Sequence, residues 1–334
     1  LNSVFERGAT VYEGSTESIR SELALFDLLP TDISTQLSSD FIQAFPLVSI
    51  KEDFNPLEFQ ITLDTSGYLD PLDSFISLTC RIVNQDGTLC DEARDLVAPC
   101  NLFFQTMFSN LEIYLNGQLI SDTSNFYPWI GYMQRLLSAS PQEKDGRLKN
   151  ELWYPNVTPE VFTASDPGWK ARFDMSKKSQ PFQVVGQLVG SIFTQPRYIP
   201  AGSHIRIVLR RAQPELCLEC STTTKAGTNG VPYKYQITDA VFYGSKKVVS
   251  KPIIDMHRAE LARGNTFKYI TNDAEIKTFT VASGLSYVTT DSLVIGKIPK
   301  IIVIGMVNSD GFMGSLNKSP FNFVDKNLSE MSIT

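Results

Sequence analysis

Histidine is nearly absent from this chain: His204 and His257 are the two in 334 residues. That leaves little room for acid–base or metal chemistry, since imidazole is the side chain that titrates near neutral pH and the commonest metal ligand. Cysteine is sparse as well, and its five copies, Cys80, Cys90, Cys100, Cys217 and Cys220, are too few and odd in number for a secreted disulfide framework. A reducing compartment is the simpler reading. Cys217 and Cys220 have the spacing of half a zinc site, but no second pair stands at a suitable distance. No long apolar run occurs either: the longest, Ile301 to Val307, falls far short of the roughly 20 residues that span a bilayer, so no membrane span is expected. Basic residues are in deficit, with 30 Lys and Arg against 36 Asp and Glu and a net charge of −6. A surface that coats nucleic acid needs clustered positive charge, so no sequence-specific nucleic-acid partner is expected. The nucleophile elbow, the phosphate loop and the dinucleotide fingerprint are all missing. The chain is therefore read as a non-enzyme, with no catalytic, cofactor-binding or metal-binding residue and no cofactor.

What is present is strand text. Leu57–Leu63 alternates apolar and polar with period two, as a half-buried strand does. Phe75–Val83 follows and leads into a turn at Asp86-Gly87. Leu111–Leu115 alternates again and runs into Asn116-Gly117, a strong hairpin signal. Further strands are predicted at Phe182–Val189, Ser203–Arg210 and Tyr235–Tyr243. One helix interrupts them: Tyr127-Pro128 opens it, with proline near the first turn, and Ile130, Met133, Leu136 and Leu137 share one face. A second helix is expected over Ile253–Arg263, ended by Gly264. Two connections are too long for hairpins, the proline-bearing stretch Asn150–Lys178 and the small polar stretch Ser221–Gly230. Long loops on a β scaffold are usually functional surfaces.

The pattern near residues 60–115 returns, weakly but in order, in the last seventy. Ser66-Gly67 returns as Ser283-Gly284, Val83–Gly87 as Val307–Gly311, and Phe103 and Ile113 as Phe323 and Ile333. A spacing of about 220 residues is far longer than a solenoid unit and reads as a duplicated β-domain. The expected organisation is an N-terminal arm over 1–44 with apolar anchors at Leu23, Leu25, Phe26, Leu28 and Leu29, a first sandwich over 45–250, a linker helix over 251–264 and a second sandwich over 265–334. The second copy stops inside an expected strand and is therefore incomplete.

The run Ala98-Pro-Cys-Asn-Leu-Phe-Phe-Gln-Thr-Met-Phe-Ser-Asn-Leu-Glu-Ile-Tyr-Leu-Asn-Gly117 resembles the signature of major capsid proteins of Polinton/Maverick elements and adintoviruses. Its continuation fits too, through Tyr127-Pro128, Tyr132, Leu136-Leu137, Leu152-Trp153-Tyr154 and Lys318–Phe323. The resemblance runs from about Leu23 to Thr334, and each of its motifs is structural. It implies an all-β double jelly roll, two antiparallel sandwiches with the second incomplete here, related in architecture to adenovirus hexon. It also implies homotrimers forming pseudo-hexagonal capsomers of an icosahedral shell around double-stranded DNA, assembled inside a host cell, with neighbouring capsomers and minor capsid or penton proteins as partners. Trimer contacts are then expected in the long loops, where Trp153, Tyr154, Phe162, Trp169 and Phe173 exceed what a monomer readily buries.

Two other readings compete. A jelly-roll carbohydrate-binding or adhesion module would cluster Trp153, Tyr154 and Trp169 on one exposed concave face. A β-sandwich hydrolase would bring carboxylates together in a cleft.

Overall fold

In a computed structural model, residues 36–50, 55–221, 232–285, 287–289 and 299–332 are described. The chain divides into two units: one holds Gln36–Ile276 with Met306–Thr334, the other Leu1–Thr35 with Lys277–Gly305. Every helix and strand among the described residues belongs to the first unit. In the second unit the described residues form neither.

Eight strands make two antiparallel four-stranded sheets. They are β1 (Gln36–Ala44), β2 (Leu57–Thr62), β3 (Gly67–Asn84), β5 (Phe108–Leu115), β6 (Gln118–Asp122), β7 (Phe182–Gly186), β8 (His204–Arg211) and β10 (Tyr233–Val249). One sheet has the order β1-β10-β3-β7, the other β2-β8-β5-β6, and a two-stranded ribbon joins β4 (Val97–Pro99) to β9 (Leu218–Cys220). The first strands of the two sheets are consecutive in sequence, while their neighbours are the last strands of the series, β10 beside β1 and β8 beside β2. That is the winding of a single jelly roll built from two Greek keys.

Period-two burial makes the sandwich. Leu57, Phe59 and Ile61 of β2, Ile205, Ile207 and Leu209 of β8, and Leu111 and Ile113 of β5 all point inward. They meet Ile76, Leu78, Cys80 and Ile82 of β3 and Tyr235, Ile237 and Phe242 of β10. Phe59 and Phe242 lie with ring centroids 6.1 Å apart across the two sheets. The inter-sheet layer is thus buried and apolar, the main source of stability for a sandwich. The hairpin between β5 and β6 turns at Asn116 (φ 51°) and Gly117 (φ 82°), the paired positive φ values of a type I′ turn.

The outward face of the second sheet is polar and internally paired. Arg206 pairs with Glu58, Arg210 reaches Glu112 at 2.8 Å, and the Arg206 guanidinium lies 5.1 Å above the ring of Tyr114.

Helices occupy the connections. They are α1 (Phe103–Thr106), α2 (Tyr127–Ser138), α3 (Pro141–Asp145), α4 (Pro167–Ser176), α5 (Pro214–Cys217), α6 (Lys251–Ala262) and α7 (Ser309–Met313), with three 3₁₀ turns besides. The expectation of an all-β double jelly roll is overturned: the chain is mixed α and β, with unclosed sheets. Beyond Gly264 the described residues form the short α7 and no strand. Alternating residues such as Phe279 and Val281 have strand propensity, but a strand exists only with a ladder partner. The sequence repeat does not become a structural one either. Phe103 sits on α1 whereas Phe323 lies in irregular chain, and Val83 belongs to β3 whereas Val307 precedes α7. Ile333 lies outside the described residues.

Candidate functional site

One end of the sandwich is closed by a cap made from α1, α2, α3, α4 and the segments between them, and it holds all five residues expected at a subunit interface. Its local structure follows from helix starts written into the long connection. Ser140 caps α3 in a reciprocal box with Glu143, and Pro141 takes the first helical position. Asp166 caps α4 ahead of Pro167, its Oδ1 accepting the Trp169 N–H at 2.9 Å. The other carboxylate oxygen of Asp166 accepts from the backbone of Val157 and Thr158, both at 2.8 Å. Burial alone would raise this carboxyl, but backbone donors from Thr158, Trp169, Val157 and Gly168 outweigh it and hold Asp166 below its ordinary value.

Beneath α4 lies a buried ion pair. Arg172, fully enclosed, meets Glu219 of β9 at 2.9 Å and donates also to the carbonyls of Pro99 and Gly168 and to Asn156. Gly168 is held so close to the preceding chain that a Cβ there would stand 2.0 Å from the Pro155 carbonyl oxygen. Trp169 and Phe173 stack at 5.0 Å, and with Ala98 and Phe162 they form a separate buried cluster. The Trp169 indole N–H points to the Glu219 carbonyl at 3.5 Å.

Trp169, Phe162 and Phe173 are thus buried within their own subunit. Trp153 and Tyr154 are half-buried at the edge of the main core. The Lys144 ammonium lies 5.6 Å above the Trp153 ring, and the Tyr154 N–H donates to Asn101 at 2.7 Å. The structure brings all five into the cap but places them in two groups, three sealed and two at the margin. The other predicted loop, Ser221–Gly230, lies outside the described residues apart from Ser221, as do residues 1–35 of the predicted arm; residues 36–44 of that arm are strand β1.

A second buried network joins α1 and α2 to the 3₁₀ turn Arg147–Glu151 and the chain after β7. Glu151 accepts from Arg135 at 3.0 Å and from Gln105 at 2.8 Å. The Tyr127 hydroxyl donates to Gln105 at 2.7 Å and accepts from the Val189 N–H at 3.3 Å. Burial pushes the Tyr127 phenol up, so it stays protonated and structural.

The cap is completed by a strap that sequence reasoning missed. Residues 306–324 form a loop closed on itself by the Val324 N–H to the Met306 carbonyl at 3.0 Å, with an internal ion pair from Lys318 to Asp310 at 2.8 Å. Its Phe312 lies 4.7 Å from Trp129, and Phe321 stacks on Tyr132 at 4.5 Å. The Leu316 carbonyl accepts from the Cys220 N–H at 2.7 Å. Residues 127–132 of α2 are consequently buried on all sides, whereas Leu137, expected on its apolar face, is exposed. Lys318–Phe323 carried no local signal of where it would dock; its aromatic density was the one clue.

Titratable groups in and around this region are occupied structurally. Burial pushes the Cys100 thiol up to about 12, and its sulfur lies 2.7 Å from the Thr106 hydroxyl. Cys217, at the end of α5, is raised for the same reason. Such thiols are neutral and unreactive. Among the described residues no group of three or more His, Cys, Asp or Glu is placed to hold a metal ion. His204 contacts Gln60 at 2.6 Å, and His257 of α6 contacts the Tyr68 hydroxyl at 2.9 Å.

No protein-family profile matches the chain. It is similar to the uncharacterized protein F54H12.2 of Caenorhabditis elegans, at 19% identity over 296 residues, covering 86% of this chain and 68% of that protein. Among the solved structures it resembles are viral capsid proteins. The mavirus major capsid protein aligns at a TM-score of 0.42 and 13% identity, over 74% of this chain and 54% of that one. The Sputnik virophage structure aligns at 0.43 and 11%, over 71% and 53%. The Faustovirus major capsid protein aligns at 0.40 and 10%, over 72% and 59%. The chain spans little more than half the length of these three structures.

Proposed function

We propose that this chain is a structural, shell-forming protein of the viral capsid type, working in a virion-like particle as a homotrimer. The observation that carries the reading is the strand order β1-β10-β3-β7 facing β2-β8-β5-β6, a jelly roll used by capsid, lectin and cupin domains alike. The ordered run Ala98–Gly117, which resembles the capsid signature, falls on the ribbon, α1, β5 and the β5–β6 turn and supports the capsid use among these. The deeply buried ion pair, the sealed thiols and the self-closing strap support a rigid block rather than a moving catalyst. A pseudo-hexagonal tile needs two sandwiches per chain, and the described residues contain one, so the proposal stops at a trimer.

Within it, Trp153 and Tyr154 at the margin of the cap are the subunit contact, with Phe162, Trp169 and Phe173 as the packed layer that holds that margin rigid. The lectin alternative asks for Trp169 at the surface, where it does not lie. Sedimentation of the purified chain tests the reading: a trimer is expected, converted to folded monomer by Trp153→Ser with Tyr154→Ser. A chain that stays monomeric at every concentration would reject it.

A further inference from the structure

The strap over residues 306–324 holds its own shape apart from the cap it covers. The Val324 N–H donates to the Met306 carbonyl at 3.0 Å, Lys318 pairs with Asp310 at 2.8 Å, and the chain closes so tightly at Gly311 that a Cβ there would stand 2.9 Å from the Ser319 carbonyl oxygen. A loop already in its bound shape gives up little further freedom on docking. Its seat on α2 is made of rings: Phe312 lies 4.7 Å from Trp129, Phe321 stacks on Tyr132 at 4.5 Å, and Phe323 lies 6.3 Å from Tyr132. The bond from the Cys220 N–H to the Leu316 carbonyl and a 3.3 Å contact from Asn308 to Glu160 add to it.

The covalent connection does not confine this module to its own sandwich. Residues 277–305, which precede it, belong to the other unit of the chain, and a connection of that length reaches on the order of 100 Å at full stretch. The groove of Trp129, Tyr132 and Trp153 meets the same rings whether they come from its own chain or from a neighbour, and exchange of an identical element is a low-cost route to association. Buried area favours the neighbour. Trp153 and Tyr154 are two half-buried side chains, far short of the roughly 1,600 Å² that a stable interface covers. The strap seats beside them, for the Trp153 ring lies 6.3 Å from Tyr132, the ring on which Phe321 stacks.

We propose that in the trimer the strap of each copy seats on α2 of the next, joining the copies head to tail. The occupant of the groove is then residues 306–324 of a second copy of this chain. Such a contact is heterologous, strap against groove, and closes as a ring when three copies complete the turn. The inference rests on the trimer reading and supplies the buried area that Trp153 and Tyr154 alone do not.

The test crosslinks the full chain with a lysine-reactive bis-succinimide and reads the link between Lys318 of the strap and Lys144, whose ammonium lies 5.6 Å above the Trp153 ring. A chain carrying Lys144→Arg is co-expressed with a differently tagged chain carrying Lys318→Arg, and complexes holding both tags are purified. Arginine keeps the charge at each position, and neither chain can form the link alone. The link is expected in the doubly tagged complexes and in the native trimer, and not in either variant expressed by itself. Co-expression of the native chain with an excess of a chain carrying both substitutions is expected to lower the link per native chain in proportion to the dilution. A link that survives this dilution in full within intact trimers would overturn the exchange and leave the shell-forming reading standing, since each strap would then fill its own groove. Tagged chains that never co-purify, with a native chain that stays monomeric, would remove the reading and the exchange together.

Discussion

Arg172 illustrates how much of this molecule's rigidity sits in a few enclosed polar groups. Its guanidinium is taken wholly out of water and repaid by Glu219, Asn156 and two carbonyls. Removing one member of such a pair leaves the other buried and uncompensated, typically at about 3–5 kcal/mol, whereas replacing both with apolar groups of similar shape is often nearly neutral. Glu219→Gln and Arg172→Met are therefore each expected to lower the urea midpoint markedly, and Arg172→Met with Glu219→Leu to recover most of the loss. Asp166 makes a prediction in pH. Its carboxyl is lowered on folding, so its stabilising contribution is complete above the unfolded value of about 3.9 and is lost as pH falls through the folded value. Asp166→Asn should be less stable than the native chain at pH 7, with the gap narrowing below about pH 4 in urea titrations. A gap independent of pH would show that the charge of Asp166 is not what holds Val157 and Thr158.

At the scale of elements, the strap is the part whose stability is separable from the rest. Phe321 and Leu316 are buried against α2 and β9, yet the strap closes on itself and contributes no strand to either sheet. Phe→Ala in a packed site costs roughly 3–5 kcal/mol, and an element that can open locally gives up its own stability first. Phe321→Ala is accordingly expected to raise hydrogen exchange over residues 306–324 and across α2, with β3, β8 and β10 unchanged. Equal loss of protection in the sheets would mean that strap and sandwich unfold as one. The strands were legible beforehand because burial on one face imposes period two: Leu57–Leu63 falls within a residue of both ends of β2, and Leu111–Leu115 shares its last residue with β5, which begins three residues earlier at Phe108. The short helices α3 and α4 were missed although Ser140-Pro141 and Asp166-Pro167 are helix starts, since five to ten residues between loops give too little periodicity to register. The strap and the Arg172–Glu219 pair were not legible, because both depend on contacts between residues far apart in sequence.

For the whole molecule, the sequence repeat suggested two equivalent sandwiches, and the structure holds one sandwich and a helical cap among its described residues. Weak repetition of turn and strand residues marks similar local chemistry, and it becomes a second domain only when every repeated strand finds a partner. What the fold offers instead is a block with paired charges on both outer faces, an aromatic trio of Phe41, Phe75 and Tyr243 on one of them, and a buried cap. The central claim is that this chain is a self-assembling structural unit, and sedimentation velocity across a hundredfold range of concentration tests it most directly. The account predicts a species of three times the chain mass that persists on dilution. A single monomeric species throughout that range would contradict it.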